Sequence, residues 1–216
     1  GYGGRLVGPV RVDPKTHSYI DVGDEPLLLA ATAPTWVARD RAAAARAAVA
    51  AGAELIVMDD GFQNPSVKQH LSIVVVDAAY GFGNGRVMPA GPLREPVADG
   101  MARADAVVVI GAEEAARPAK MPAGLPLFQA MLRAENGAGA QNRPLYAFAG
   151  IGRPGKFFDS LAQTGAVVAG TASFADHHPY TNRDMAALQA AASGLGAALV
   201  TTAKDAVRIP VEHRLD

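Results

Sequence analysis

Several short segments gather acidic, imidazole and cationic groups at spacings that suit chemistry. Asp59-Asp60-Gly61-Phe62-Gln63 follows the apolar stretch Leu55–Met58. An apolar strand that ends in Asp is how a Walker-B motif delivers a carboxylate to a nucleotide-bound Mg²⁺. That ion takes a few carboxylate oxygens together with water and phosphate. Asp and Gly also favour turns, so the same residues read as a strand-ending turn. Two adjacent carboxylates repel each other without a cation, which leaves the turn and metal readings evenly balanced. Gly23-Asp24-Glu25-Pro26 offers Asp24 as a general base, a Mg²⁺ ligand or a turn residue; Pro26 supports the turn, and spacing does not decide. Asp176-His177-His178 places two of only five histidines beside a carboxylate. Imidazole titrates near neutral pH, so the group reads as a metal cluster or as a base with its orienting partner.

Gly81-Phe82-Gly83-Asn84-Gly85-Arg86 runs into Pro89-Ala90-Gly91-Pro92-Leu93-Arg94-Glu95-Pro96. Alternate glycines let backbone N–H groups approach a ligand, and Arg86 and Arg94 suit bidentate contact with phosphate. The loop is neither a Walker A, which ends in Gly-Lys-Ser/Thr, nor a dinucleotide fingerprint. A Pro/Gly segment of this length reads as a functional loop in preference to filler. In Thr201-Thr202-Ala203-Lys204-Asp205, Thr202 reads as a helix cap and Lys204 as a cation within reach of a phosphate.

These segments need elements to position them. Leu27–Ala33, Glu54–Met58, Ser72–Asp77, Ala106–Ile110, Leu145–Ala149, Ala166–Gly170 and Ala198–Thr202 read as strands. Trp36–Ala51 (capped by Thr35, with Gly52 just past its end), Gly155–Thr164 and Arg183–Ser193 read as helices. The run Ile-Val-Val-Val at 73–76 suggests a strand covered on both faces, as in a parallel sheet. The alternation predicts an α/β fold with right-handed crossovers. Ligands in such folds bind beyond the C-terminal ends of strands, where most of these motifs fall. Gly111–Gly124 and Gly137–Arg143 read as surface connections, and a subdomain boundary is expected near 140–145.

The chain has 216 residues, half of them apolar, 19% charged, with a net charge of −1. No whole-chain field favours nucleic acid. There is no cysteine, which excludes disulfides, Cys-ligated zinc and thiol catalysis. No apolar run reaches the roughly 18 residues of a membrane span, and no signal peptide is visible. The first residue is Gly in a glycine-rich turn, so the chain reads as a piece of a longer protein.

Taken in order, Gly1-Tyr2-Gly3-Gly4, Gly23–Pro26, Asp59–Gln63, Gly81–Arg86 with Pro89–Pro96, Gly150-Ile151-Gly152 with Phe157-Phe158, Phe174–Tyr180 and Thr201–Arg208 resemble the tetraacyldisaccharide 4'-kinases from end to end. These enzymes phosphorylate the 4' hydroxyl of the disaccharide lipid A precursor with ATP. The resemblance implies a P-loop NTPase-like, mostly parallel sheet flanked by helices, covering residues 1–142, and a smaller α/β subdomain over 143–216 that contributes to a cleft. It implies Asp24 as the general base with His177 as its partner. Asp59 and Asp60 would hold Mg²⁺, with Gln63 beside the nucleotide. Arg94, facing phosphate, and Glu95 would form the cleft pair; Asn84 and Arg86 would lie on the substrate side. ATP and Mg²⁺ are the implied cofactors, the lipid A precursor the partner, and the cytoplasmic face of the bacterial inner membrane the location.

The family's Walker A lies upstream of Gly1, and the chain contains no Gly-x-x-x-x-Gly-Lys-Ser/Thr. Tyr80, Asn64 and Ala203 stand where the family commonly has Arg, His and Glu. These 216 residues are therefore expected to show little kinase activity alone. Two other readings compete. One is a metal-dependent phosphoesterase using Asp59, Asp60, Asp176, His177 and His178. The other is a non-catalytic lipid- or carbohydrate-binding domain.

Overall fold

The computed structural model describes residues 3–111, 124–132 and 143–213. The expected connections Gly111–Gly124 and Gly137–Arg143, and the turn Gly1-Tyr2, lie largely outside the described residues. Among the described residues no helix is long and apolar enough to cross a membrane.

The chain starts with strand β1 (Val10–Arg11), helices α1 (Tyr19–Val22) and α2 (Asp24–Thr32), strand β2 (Trp36–Val37) and helix α3 (Arg41–Ala50). β1 and β2 pair antiparallel. Two expectations fail here. Of Leu27–Ala33, all but the C-cap Ala33 belongs to helix α2 and none to a strand. Leu and Ala are strong helix formers, the run lacks a β-branched residue until Thr32, and Pro26 sits in the first turn, where its missing N–H costs no hydrogen bond. The helix expected over Trp36–Ala51 starts only at Arg41. Asp40 caps it, its Oδ1 accepting from the N–H groups of Ala42 (2.9 Å) and Ala43 (3.1 Å). Thr35 instead donates its hydroxyl to the Ala33 carbonyl, and Trp36 and Val37 pair with β1.

Next come β3 (Ile73–Asp77), α4 (Val97–Met101), β4 (Ala106–Ile110) and β5 (Leu127–Ala130), with the strands parallel in the order β3-β4-β5. Val76, Val107 and Val109 pack with Val97 and Met101 of α4 in one apolar cluster. β3 is not covered on both faces: Ile73 and Val75 are 48% and 61% exposed. The expected strand at 54–58 is absent, with Leu55 81% and Val57 86% exposed. A strand persists only where a neighbour accepts its backbone hydrogen bonds, and no described strand pairs with this segment.

The last part carries β6 (Leu145–Ala149), α5 (Pro154–Gln163), β7 (Val168–Ser173), α6 (Asn182–Gly194), β8 (Ala198–Thr201) and α7 (Ala203–Ala206), followed by a 3₁₀ turn at Val211–His213. β6 is central, parallel to β7 on one side and β8 on the other. Its Leu145, Ala147, Phe148 and Ala149 are buried, as expected of a central parallel strand. Thr181 and Asp184 form a reciprocal capping box at the start of α6.

The described residues divide into two compact units, residues 1–52 with 134–216 and residues 53–133. The sequential division expected at 142/143 is thus replaced by a discontinuous one. The first 52 residues join the C-terminal sheet because α2 lies against α7, and Val207 packs with the cluster of Val12, Val22, Leu27 and Val37.

The first unit is tied by a carboxylate with no solvent exposure. Asp205 accepts from the Gly150 N–H, the Tyr180 hydroxyl and the Arg208 guanidinium, each at 2.8 Å, and from the Thr202 hydroxyl at 2.5 Å. Burial, followed by this bond, pushes the Tyr180 phenol well above its usual pKa, so it remains a neutral donor. Asp205→Ala should cost about 3–5 kcal/mol, because it leaves a buried guanidinium unneutralised. Asp40→Ala should cost about 1 kcal/mol through loss of the cap, and Thr35→Ala much less than that. Denaturant unfolding checks both; a Thr35 effect as large as that of Asp40 would place the cap wrongly.

Candidate functional site

In the first unit, Asp24 opens helix α2, directly after Gly23, whose φ of +92° suits glycine alone. Asp24 is 4% exposed. Its Oδ1 accepts from the Glu25 N–H at 2.9 Å, and its Oδ2 lies 2.9 Å from His177 Nδ1. Neighbouring Glu25 receives a 2.9 Å bond from Lys204 of α7. The Asp24–His177 pairing drawn from the resemblance is therefore a direct contact between residues 153 positions apart.

His177 is held in an unusual conformation, φ +58°. Its N–H donates to the Gly150 carbonyl and to Asp176 Oδ1, both at 3.0 Å. Its ring is 32% exposed, with Nε2 4.0 Å from Asp176 Oδ1. His178 is engaged elsewhere: its Nε2 lies 3.2 Å from Asp184, and its ring packs against Phe174 and Tyr180. The Asp184 carboxyl is held below the usual range, first by the Thr181 N–H and hydroxyl and then by His178. The two histidines are thus separated in role, His177 facing Asp24 and His178 anchoring the start of α6.

Arg208 was not foreseen from the sequence. It is 2% exposed. It donates to the carbonyls of Lys204 (3.1 Å), His178 (3.3 Å) and Gly150 (3.0 Å) and to Asp205, and its Nε lies 3.5 Å from Asp24 Oδ2. Its position three residues after Asp205 was the only sequence signal; the links to Gly150 and Asp24 cross the fold. Gly150 carries this junction because a Cβ there would lie 2.9 Å from the Ala175 carbonyl oxygen and 3.2 Å from Asp205 Oδ1. Gly150-Ile151-Gly152-Arg153-Pro154-Gly155-Lys156-Phe157 nearly matches a Walker A between strand and helix but ends in Phe. The Gly150 N–H and carbonyl are already committed to Asp205, His177 and Arg208, so they are not left to wrap a phosphate.

In the second unit, Asp60 is the other non-glycine residue with positive φ among those described, +47°. Arg94 grips it bidentately, 2.9 and 2.8 Å, in a pair more than half exposed on both sides. The carboxylate in turn raises the Arg94 pKa. Glu95 accepts two bonds from Arg103, 2.8 and 2.9 Å, and one from Gln63, 3.0 Å; Arg103 chiefly holds its carboxyl below the usual range. Arg103 also lies over the Phe62 ring at 5.0 Å. Gln63 is thus joined to Glu95, and Arg94 faces a carboxylate in this structure. Asn84 braces its own loop, donating to the Ala90 carbonyl and accepting from the Arg86 N–H. A Cβ on Gly91 would sit 2.1 Å from Asn84 Oδ1, so only glycine fits that crossing. A cavity of about 360 Å³ is lined by Phe62, Phe82, Leu93 and Met101 and edged by Gln63, Arg94 and Glu95.

The donor set bears on Mg²⁺. Among the described residues no three His, Cys, Asp or Glu side chains converge on a point, which does not suit the two-metal phosphoesterase arrangement. One or two carboxylates completed by phosphate and water do suit Mg²⁺, and adjacent Asp59 and Asp60 offer these. Both Asp60 oxygens are held by Arg94.

Residues 1–215 match the family described as tetraacyldisaccharide-1-P 4'-kinase (LpxK). The chain is 54% identical over 216 residues to the tetraacyldisaccharide 4'-kinase of Rhodospirillum centenum and 56% identical over 222 residues to that of Dinoroseobacter shibae, covering 99% of this chain in each case. It spans 64% and 65% of the length of these curated relatives. Among solved structures it resembles Aquifex aeolicus LpxK in complex with ATP, with TM-score 0.71 and 25% identity, over 99% of this chain and 69% of that one. The parallel α/β sheets flanked by helices are accordingly those of a P-loop kinase fold, and the chain belongs to the tetraacyldisaccharide-1-P 4'-kinase family.

Proposed function

We propose that the protein transfers the γ-phosphoryl group of ATP to the 4' hydroxyl of a tetraacyl disaccharide 1-phosphate, the lipid A precursor, at the cytoplasmic face of the bacterial inner membrane. The observation that carries this reading beyond family membership is the Asp24–His177 contact, a buried carboxylate bonded to a partly exposed imidazole. Phosphoryl transfer asks the protein for positioning, charge stabilisation and a group to orient and accept the proton of the nucleophile. In this reading the sugar oxygen attacks phosphorus, its proton passes to the Asp24–His177 pair, and ADP leaves. Asp59, with Asp60 beside it, would hold Mg²⁺, which supplies charge neutralisation on the phosphates. Arg94 would exchange Asp60 for phosphate oxygens, since an exposed ion pair costs little to open. Arg86 would offer a further anion contact, Asn84 keeping its loop in shape, and Glu95 with Gln63 would brace this side.

Burial favours one refinement. Asp24 is 4% exposed and His177 32%, so the imidazole presents the accessible face. In a second reading, His177 Nε2 takes the proton while Asp24, through Nδ1, sets the ring's tautomer and orientation.

These 216 residues contain no Gly-x-x-x-x-Gly-Lys-Ser/Thr, so the polypeptide alone should show little or no ATP-dependent phosphorylation of the precursor; robust turnover by it would overturn that expectation. In the full-length protein, Asp24→Asn should lower kcat by about 10²–10⁴-fold while sparing ATP binding. Asp59→Asn should weaken binding of Mg²⁺-ATP. Steady-state kinetics with nucleotide titration separate the two. Unchanged turnover in Asp24→Asn removes Asp24 from the reaction. A larger loss in His177→Asn than in Asp24→Asn favours the second reading.

A further inference from the structure

We propose that Arg208 is the positioning residue of the Asp24–His177 pair, a buried guanidinium that holds both members of the pair in register from the far side. The inference rests on the reading that this pair receives the proton, whichever member takes it.

Three features carry it. The first is charge. Asp24 and Asp205 are 4% and 0% exposed, and the Arg208 side chain, 1% exposed, lies between them, 3.5 Å from Asp24 Oδ2 and 2.8 Å from Asp205 Oδ1. Among the described residues Arg208 is the one buried cation. One guanidinium shared by two buried carboxylates offsets the cost of burying them, since an uncompensated buried charge is costly.

The second feature is geometry. The Gly150 carbonyl accepts from Arg208 at 3.0 Å and from the His177 N–H at 3.0 Å. The His178 carbonyl, one residue on, also accepts from Arg208. Arg208 therefore reaches Asp24 through its charge and the positive-φ turn of His177 through the two carbonyls. Strain of that kind persists only where the surroundings over-determine it.

The third feature is the choice of side chain. The contacts go to Lys204 and Asp205 of α7, His178, Gly150 and Asp24, which lie on four segments. A planar fork of donors can serve them together, whereas an ammonium cannot.

The test is a mutant cycle in the full-length protein, with Arg208→Lys and Arg208→Gln each made in the parent and in Asp24→Asn, and with rates taken per mole of folded, ATP-binding enzyme. Positioning predicts that Arg208→Lys lowers kcat by about 10–100-fold with KM for ATP within about twofold. It also predicts little further loss in the Asp24→Asn background, because residues acting as a unit are non-additive. Arg208→Gln, which keeps donors but loses the charge, should be at least as slow and serves as the second variant should Arg208→Lys fail to fold. A folded variant within about twofold of the parent kcat overturns the proposal, as does an equal fractional loss in both backgrounds. Should Asp24→Asn and His177→Asn both turn over like the parent, it is the proton-acceptor reading that has failed, not the positioning step alone.

Discussion

A carboxylate wholly removed from water is costly unless its surroundings replace the lost hydration. Asp205 meets that condition with a backbone N–H, a phenol, a hydroxyl and a guanidinium. Each partner comes from a different place: Gly150 from the end of the central strand, Tyr180 from the loop before α6, Thr202 from the end of β8 and Arg208 from beyond α7. Satisfying one buried charge therefore fixes where several segments meet, and the meeting point lies next to Asp24 and His177. Most of what makes the first unit a candidate for chemistry depends on that constraint.

The second unit is organised on the opposite principle. Its Arg94–Asp60 ion pair lies toward solvent, where water screens it and either partner is exchangeable at small cost. That suits groups meant to release one another for a phosphate or a metal ion. The two units resemble each other in one respect. Each has a non-glycine residue at positive φ, and each of these, Asp60 and His177, belongs to a motif with a chemical reading. Such conformations are sparsely populated and concentrate where a side chain must be aimed.

The motifs were legible because their residue types are unusual: paired carboxylates after an apolar run, two histidines beside an aspartate, glycines on alternate positions. Strongly patterned elements were legible for a related reason. The valine-rich β4 and the buried β6 match their expected spans, and β3, α5 and α6 lie within a residue or so of theirs. Short or ambiguous runs were not. Leu27–Ala33 is apolar enough for a buried strand, but its Leu and Ala composition went to a helix. Leu55–Met58 is patterned as a strand yet has no described partner to pair with. β1, β2 and β5, of four residues or fewer, carry too little pattern to stand out.

Residue identity by itself thus determined the α/β class, the positions of the chemical groups and the family resemblance, since those depend on local composition, order and spacing. Which histidine meets Asp24, which carboxylate Arg94 grips, and that Arg208 stands behind the pair were decided only by the tertiary structure. Each of these contacts joins residues far apart in the chain: 153 positions for Asp24 and His177, 34 for Asp60 and Arg94, 58 for Gly150 and Arg208. Side-chain spacing along a helix or strand says nothing at that range. For the buried contacts, what selects the partners is the cost of burying a charge or a backbone polar group unpaired, and that cost arises only once the chain has folded.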